Sequence, residues 1–276
     1  MSLIIEFGSR KQGCHDLYSD IDLLLVFDDQ TQVNNEKMYF ERLGYSVTTF
    51  STERARYLSK IGSLFARHVF FEGSLLHGNC GTMKSYQSTW NPAANYDYEI
   101  EDNKELLAIL ENVPVTVESK ATINDILVCS IRNVLIRKLA NEGIYVFSWS
   151  RVLRESEVRG FINRNDVNVL YMARHFKNMY RGGVFPIING HLIEALEFIT
   201  QKVIDDKRKI KAGRHKDITS LPDKQIEGSY AQLRSIELLC SHYNFDKSMA
   251  KYVIATKDPS YFCSLGPNKA LQRTSR

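Results

Sequence analysis

The stretch of residues 5–27 limits what this chain can fold into more than any other part of the sequence. An apolar run ends at Gly8 and Ser9, a polar loop follows, and a second apolar run opens with Asp20 and Asp22. Because successive side chains of a β-strand point to opposite faces, the two aspartates are predicted to project from one face. Two carboxylates in one small volume repel each other unless a proton or a cation joins them. A hard divalent ion with oxygen ligands meets this need.

The turn after the first apolar run has the composition of a phosphate-binding loop. Gly8 lets the backbone approach a ligand closely, and Ser9 offers a hydroxyl and an amide where the strand turns. We expect this turn to lead into the first turn of a short helix. The sequence therefore predicts a phosphate site beside the pair of aspartates.

These features together resemble a known superfamily. A strand, a Gly-Ser turn, a loop containing Gly13 and a second strand with Ser-Asp-Ile-Asp are similar to the nucleotidyltransferases of the DNA polymerase β type, especially the small bacterial members. The resemblance covers roughly the first third of the chain. It rests on the agreement of the Gly-Ser pair, the loop length, the Asp-x-Asp motif and the flanking apolar runs, because Asp-x-Asp alone is common.

The resemblance implies a specific reaction. A nucleoside monophosphate would pass from a nucleoside triphosphate to an acceptor hydroxyl, with Mg2+ as cofactor and pyrophosphate as product. Asp20 and Asp22 would be the catalytic residues and would hold the metal. Gly8 and Ser9 would hold the β and γ phosphates, with Ser19 as a further phosphate-binding residue. The acceptor stays open between a small molecule such as an aminoglycoside, a partner protein and a tRNA end.

The third predicted strand departs from the pattern of this superfamily, which normally adds a third carboxylate there. Residues 45–50 offer the hydroxyls of Ser46, Thr48 and Thr49 instead. A hydroxyl brings no negative charge to a cation and cannot act as a base near neutral pH. The expected third ligand and base are therefore missing from this strand.

Three explanations for the missing carboxylate remain open. Glu53 or Glu72 could reach in from a neighbouring element. A single metal held by the two aspartates could suffice together with the phosphates of the substrate. Alternatively, the domain binds nucleotide with little or no turnover, as a nucleotide-sensing or antitoxin-like partner protein.

The order of predicted elements indicates an α+β fold. We expect a small mixed-sheet nucleotidyltransferase domain over residues 1–95, a mainly helical domain over 104–262 and a flexible tail over 263–276. Strands are predicted at residues 3–7, from about 19 to 27, at 45–50 and at 74–77. Residues 28–35 look like a polar exit from the second strand, and residues 37–43 suit either a strand or a helix. A helix from Ser51 to residue 72 is predicted to bend or divide at Gly62.

Residues 78–103 are predicted to connect the two domains. Trp90, Tyr96 and Tyr98 in this stretch could stack on a nucleobase, but we favour an interpretation in which they anchor the linker to the core. Beyond it, apolar residues at helical spacing predict a helix that ends at Gly143. Further helices are predicted after Ser148 or Ser150, after Asp166, through residues 192–203 and over residues 229–242.

Basic residues in the helical part have two interpretations. Arg132 or Arg137 is a candidate for contact with the triphosphate by resemblance to two-domain nucleotidyltransferases, but we favour an interpretation in which each belongs to a solvated basic face. The run over residues 207–216 could hold a nucleic-acid backbone through its phosphates. Neighbouring Asp205, Asp206 and Asp217, and the absence of aromatic residues within the run, make nucleic acid the weaker interpretation.

The bulk composition fits this picture without deciding it. The chain has 276 residues, 43% of them hydrophobic, and a formal net charge of +4. No segment approaches the roughly 20 apolar residues that a membrane span requires, so no membrane partner is expected. The cysteines are odd in number and widely spaced, which predicts reduced thiols in a cytoplasmic protein: Cys14, Cys80, Cys129, Cys240 and Cys263. The basic tail from Gly266 resembles the translated ends of integron gene cassettes.

Overall fold

The computed structural model of the protein describes residues 3–8, 21–112, 115, 117–181, 184, 186–205 and 211–212. The chain forms two compact units. The first comprises the chain up to Tyr96 together with Lys138–Val152, and the second comprises Asp97–Arg137 and the chain from Leu153 onward. No sequence signal indicated that residues 138–152 return to the first unit. Among the described residues, no helix is long and apolar enough to cross a membrane.

The first unit contains a four-stranded mixed sheet, which confirms the predicted α+β class. Its strands are β1 (Leu3–Phe7), β2 (Ile21–Val26), β3 (Tyr45–Phe50) and β4 (Ser74–His77). In the sheet the order is β3-β2-β1-β4. Strand β1 is antiparallel to both β2 and β4, whereas β2 and β3 are parallel. The predicted bounds of β1, β3 and β4 are confirmed.

Helices of the first unit cover the sheet, and the strands bury apolar side chains on both faces. These helices are α1 (Gln30–Arg42), α2 (Thr52–Lys60), α3 (Leu64–Glu72) and α4 (Cys80–Thr89). One face packs against α2, α3 and α4 through Leu3, Ile5, Phe7, Leu24, Val26, Ala55, Ala66, Val69, Phe70 and Tyr86. The other face packs against α1 through Ile4, Leu23, Leu25, Phe27, Val33 and Val47. The strict alternation along β1 and β2 determines the face to which every polar residue of these strands belongs.

The polar exit predicted after β2 is wrong, because α1 begins there at Gln30. The carboxylate of Asp29 caps this helix by accepting hydrogen bonds from the backbone N–H groups of Thr31 (2.8 Å) and Gln32 (3.0 Å). The side chain of Val33 is buried under the sheet. The capping aspartate and the buried valine thus favour a helix here in spite of the polar composition. Of residues 37–43, for which either a strand or a helix was predicted, those up to Arg42 belong to this helix.

Gly62 divides the predicted long helix into α2 and α3, as expected. Its φ of +73° lies in the left-handed region, and a Cβ at this position would collide with the backbone of residues 91–93. Ser51 caps α2 by accepting a hydrogen bond from the N–H of Arg54 at 3.0 Å. The glycine is therefore required both by its own conformation and by the chain that crosses over it.

The stretch predicted as a connection contains regular structure that the prediction missed. Helix α4 occupies residues 80–89, and the buried ring of Tyr86 stacks on Phe70 at 4.8 Å between centroids. The indole N–H of Trp90 donates to the carbonyl of Ser63 at 2.9 Å. The hydroxyl of Tyr96 donates to the carbonyl of Gly62 at 2.9 Å. Trp90 and Tyr96 are anchors of the first unit, in agreement with the favoured interpretation. For Tyr98 that interpretation is wrong, because its side chain is exposed.

The described part of the second unit is helical. Its elements, two of which continue into the first unit, are α5 (Asp97–Ala108), a 3₁₀ turn (Ile109–Asn112), α6 (Val117–Asn141), α7 (Trp149–Val158), α8 (Arg164–Arg181) and α9 (Gly190–Ile204). Asp166 does not cap α8 directly as predicted. It forms a reciprocal capping box with Asn163, in which each backbone N–H donates to the side chain of the other residue at 2.9 Å.

The helix predicted through residues 192–203 is confirmed, since α9 runs from Gly190 to Ile204. Asp205 follows in the left-handed conformation with a φ of 54°. Of the basic run, only residues 211 and 212 belong to the described part of the chain. The predicted helix over residues 229–242 and the tail over 263–276 lie outside it. Nucleic-acid binding through residues 207–216 stays a prediction.

The C-terminus of α6 is closed by Gly143, as predicted. The N–H of Gly143 donates to the carbonyl of Ala140 at 2.9 Å, and the N–H of Ile144 donates to that of Leu139 at 2.9 Å. This is the Schellman arrangement, in which the residue after the cap adopts a left-handed conformation. Gly143 has a φ of +77°, and a Cβ there would meet no atom within 4 Å.

We expect Gly143→Ala to lower the free energy of unfolding by about 1 kcal/mol, because only backbone strain is added. Gly190→Ala is the matched control, since its φ lies outside the left-handed region and its Cβ would also meet open space. Urea denaturation of both variants beside the unsubstituted protein measures the difference. Equal losses in the two variants would contradict the assigned role of Gly143.

Candidate functional site

The pairing of β1 with β2 brings Gly8 and Asp22 together at one end of the sheet. Phe7 is the last residue of β1 and lies opposite Asp22 in the antiparallel register. Gly8 follows with a φ of +91°, and a Cβ built on it would collide with the carboxylate of Asp22. Two residues predicted to belong to one site from separate motifs are therefore neighbours in the fold.

Asp22 lies on the face of the sheet that packs against α2 and α3. Residues directly opposite on neighbouring strands share a face, so Asp22 lies on the same face as Phe7. Leu24, two residues farther along β2, belongs to the apolar cluster of that face. Asp22 itself is only half-buried, because it lies at the end of the strand. Its carboxylate thus stands at the margin of the core.

Ser46 occupies the place beside Asp22 on the parallel strand β3. The register pairs Asp22 with Ser46 and Leu24 with Thr48, so both hydroxyl residues share the face of Asp22. Thr49 pairs with Leu25, whose side chain belongs to the opposite face. Of the hydroxyl residues in β3, Ser46 is therefore the one beside the predicted metal ligand.

The remaining predicted site residues, Ser9, Ser19 and Asp20, lie outside the described part of the chain. Their roles stay predictions. Within the described residues, no group of three or more His, Cys, Asp or Glu side chains is arranged to hold a metal ion. Among the described residues, the Asp22 carboxylate fits a metal ion, because it is an oxygen donor suited to Mg2+. The space that a Cβ of Gly8 would fill is occupied by this carboxylate.

Of the two glutamates considered as substitutes for the missing carboxylate, Glu53 lies at the wrong end of the sheet. It follows Phe50, which pairs with Val26. The four-residue step from Asp22 to Val26 spans about 13 Å along the strand. Glu53 is also exposed to solvent on the first turn of α2. The geometry of the strands thus separates it from Asp22.

Glu72 lies at the same end of the sheet as Asp22 but is engaged by a histidine. It is the last residue of α3, and Ser74, which follows closely, pairs with Glu6 of β1. One carboxylate oxygen of Glu72 lies 2.8 Å from Nδ1 of His68, one helical turn earlier. The spacing of His68 and Glu72 by four positions on a predicted helix was a usable signal of their pairing.

The ring of His68 packs between two phenylalanines. It lies edge-on to Phe7, with 5.7 Å between ring centroids, and 4.6 Å from the ring centroid of Phe147 at a tilt of 33°. Phe147 belongs to the segment 138–152 that returns to the first unit. His68 therefore contacts Phe7, the residue opposite Asp22. Its other ring neighbour, Phe147, comes from a distant part of the sequence.

A cluster around Arg67 ties the same returning segment to α3. Its guanidinium carbon lies 3.6 Å from the ring centroid of Phe71, 5.1 Å from that of Trp90 and 5.2 Å from that of Tyr145. Burial among these rings lowers the pKa of Arg67 from its usual value. The aromatic faces stabilise the Arg67 cation, and Arg67 in turn joins the returning segment to α3.

The opposite end of β2 carries a carboxylate with a structural role. The backbone N–H of Thr52 donates to Asp28 at 3.1 Å. Hydrogen bonds from the side chain and backbone of Thr52 lower the pKa of Asp28. Asp28 thus helps to fix the start of α2. Because it follows the other end of β2, an Asp28 variant can serve as a control for an Asp22 variant.

In the second unit, Arg137 is held by a partner of its own. Its guanidinium lies 2.7 Å from the carboxylate of Glu99 and donates to the carbonyl of Asn133 at 2.9 Å. These contacts account for the side chain as a structural group. No observation on the described residues assigns Arg132 to the triphosphate, and its predicted role stays untested.

No family model matches the chain, and comparisons with curated proteins and with solved structures also find no match.

We expect Gly8→Ala to destabilise the protein more than Gly44→Ala does. Both glycines have left-handed φ values, +91° and +88°, but a Cβ at Gly44 would meet no atom within 4 Å. Each substitution adds backbone strain of about 1–2 kcal/mol, and Gly8→Ala also forces the Asp22 side chain to move away from the new methyl group. Thermal and urea unfolding measure both.

A double variant isolates the collision. In an Asp22→Ala background, Gly8→Ala should cost no more than Gly44→Ala, because the carboxylate has been removed. If the extra loss at Gly8 persisted in that background, the close approach to Asp22 would not be its cause.

Proposed function

We propose that the first unit is a nucleotidyltransferase domain that binds a nucleoside triphosphate at the end of the sheet formed by Gly8, Asp22 and Ser46. The observation that carries this proposal is the contact geometry of Gly8 and Asp22. A glycine without room for a Cβ stands against a half-buried carboxylate, at the edge where β1 ends and β2 begins. This is the juxtaposition that the sequence motifs predict for a metal-bound triphosphate.

The residues of the chain would bind and orient the substrate. Gly8 has no side chain, so its backbone lies close to the Asp22 carboxylate and would bring the phosphates near the metal that this carboxylate would hold. Asp22, with Asp20 from the sequence motif, would supply oxygen ligands to Mg2+, which when bound neutralises charge on the phosphate oxygens. The protein would hold the acceptor hydroxyl in line with the α phosphorus, so that pyrophosphate is the leaving group.

The second unit would select the acceptor, which can be a small molecule, a protein or a tRNA end. A cytoplasmic site of action is proposed because Cys80 and Cys129 are free thiols among the described residues. An origin in an integron cassette is proposed from the composition of the tail alone.

Nucleotide binding with little turnover is the second candidate function. The observation that favours it is Ser46 in register with Asp22, where the superfamily that the sequence resembles places a carboxylate. A serine hydroxyl would leave the cation with less negative charge and the acceptor without a base on this strand. The protein would then act as a nucleotide-sensing or antitoxin-like partner.

Transfer of label from α-phosphate-labelled ATP, GTP, CTP and UTP with Mg2+ tests the first candidate. The acceptors supplied are an aminoglycoside mixture, uncharged tRNA and the protein itself. We expect one nucleotide to label an acceptor and release pyrophosphate. Asp22→Asn and Asp20→Asn should each reduce the rate by at least about 100-fold, because each removes a charged ligand.

Asp28→Asn is the matched control for this assay. It makes the same chemical change just beyond the other end of β2. The asparagine keeps a side-chain oxygen that can accept the hydrogen bond from the N–H of Thr52. Its activity should stay near that of the unsubstituted protein. Loss of activity in Asp28→Asn equal to that in Asp22→Asn would point to a general loss of structure. No labelling with any nucleotide and acceptor, combined with retained nucleotide binding, would select the second candidate.

Ser46→Asp tests the geometry of the site through stability. A carboxylate at this position would face Asp22 and repel it, so the melting temperature without divalent ions should fall. Addition of Mg2+ should raise the melting temperature more than in the unsubstituted protein, with an apparent Kd at least about tenfold lower. Ser46→Asn is the uncharged control. A response to Mg2+ that is the same in the aspartate and asparagine variants would contradict a shared cation site.

A further inference from the structure

We propose that His68, oriented by Glu72, accepts the proton of the acceptor hydroxyl at the site of Gly8, Asp22 and Ser46. This inference rests on the proposed nucleotidyl transfer and assigns it a base that the sequence motifs do not contain. The base would come from α3 and not from β3, where the resemblance to the superfamily leads one to expect it.

The position of His68 follows from its contact with Phe7. The His68 ring lies edge-on to Phe7 at 5.7 Å between centroids, with an interplanar angle of 86°. Phe7 is opposite Asp22 in the strand register and directly precedes Gly8. The imidazole therefore lies over the same face and the same end of the sheet as the predicted metal ligand.

The orientation of His68 follows from Glu72 and Phe147. Nδ1 lies 2.8 Å from a carboxylate oxygen of Glu72, and the Phe147 ring covers the imidazole at 4.6 Å between centroids. A carboxylate that accepts the Nδ1 proton selects the tautomer in which Nε2 carries a lone pair. The His68 side chain keeps 15% of its surface exposed, so the ring is held without being sealed from solvent.

The hydroxyl side chains of β3 cannot act as the base that takes the proton of the acceptor hydroxyl. A hydroxyl such as that of Ser46 cannot accept a proton near neutral pH, whereas an imidazole can. In the proposed step, the acceptor oxygen forms a bond to the α phosphorus while the bond from that phosphorus to the oxygen bridging to the β phosphate breaks. The bonding electron pair leaves with pyrophosphate. The hydroxyl proton passes to Nε2 of His68 and then to water.

His77 is a suitable histidine for comparison. It pairs with Ile4 on β1, which lies three positions, about 10 Å, from Phe7 along the strand. Its side chain is exposed at the end of β4. His77 thus lies on β4, far along β1 from the residue opposite Asp22, and its removal separates a local role from a general effect of losing an imidazole.

The test compares His68→Ala, His68→Gln and His77→Ala in the label-transfer assay, with the nucleotide and acceptor that react fastest. Both His68 variants should lower kcat by about 100-fold or more, with the affinity for the Mg2+–nucleotide within twofold of the unsubstituted protein. Added imidazole should restore part of kcat in His68→Ala, because that variant leaves a space of the right shape. It should not change His77→Ala, whose kcat should be unaltered.

Each outcome decides between the two proposals. If Asp22→Asn abolishes transfer while both His68 variants retain kcat, His68 is not the base and the nucleotidyltransferase proposal stands. Lost activity in His68→Ala with no response to imidazole, together with weakened nucleotide binding in His68→Gln, would assign the pair a packing role only and overturn the inference. If no nucleotide labels any acceptor, both proposals fall together.

Discussion

The antiparallel pairing of β1 with β2 is the constraint on which the rest of this structure depends. It sets Phe7 opposite Asp22 and leaves Gly8 against the aspartate carboxylate. A shift of the register by one residue would move Asp22 to the face buried against α1 and separate it from Gly8. Both faces of the sheet are buried, so such a shift would exchange the side chains of the two faces, and each set would have to repack against other helices. The stability of the sheet and the composition of the proposed site therefore have one cause.

The two ends of β2 have different chemistry. At one end, Asp28 accepts a hydrogen bond from Thr52 and joins the strand to α2. At the other end, Asp22 lies beside Ser46 and Gly8, at the margin of the core. The second end is supported from outside the sheet. Phe147 and Tyr145, from a segment that returns after α6, pack on His68 and Arg67 of α3.

One end of the sheet in the first unit brings together the groups on which the proposals rest. The strands place a carboxylate, a hydroxyl and a glycine at one end of the sheet. The adjacent helix places an imidazole and a second carboxylate over that end. If the proposals hold, the roles of metal ligand and base are divided between strand and helix. A strand carboxylate would not have to serve both.

Strands were predictable where local signals agree. Leu3–Phe7 is bounded by Gly8, and Tyr45–Phe50 lies between Gly44 and the capping Ser51, so composition and boundaries coincide. Gly62 and Gly143 were predicted as breaks because glycine interrupts or ends a helix, and the left-handed φ of each is one that other residues avoid.

Helices stabilised by a few tertiary contacts were not predictable in this way. Helix α1 is polar apart from a few buried contacts such as Val33, and α4 depends on the stacking of Tyr86 against Phe70. The return of residues 138–152 is a long-range event without a local pattern. Asp22 could be named from its motif. The environment of His68 could not, because it requires Phe7 and Phe147 to meet in the folded chain.

Paramagnetic broadening by Mn2+ tests the central claim most directly, because it reports where a metal–nucleotide complex binds without requiring an acceptor. Amide resonances of the 15N-labelled protein would be followed as Mn2+ is added with a non-hydrolysable nucleoside triphosphate. The account predicts that the signals of Gly8, Asp22 and Ser46 broaden first, while those of Val26 and Phe50, at the far end of the same strands, persist. Broadening that begins at Val26 and Phe50, or that spares Asp22 altogether, would contradict it.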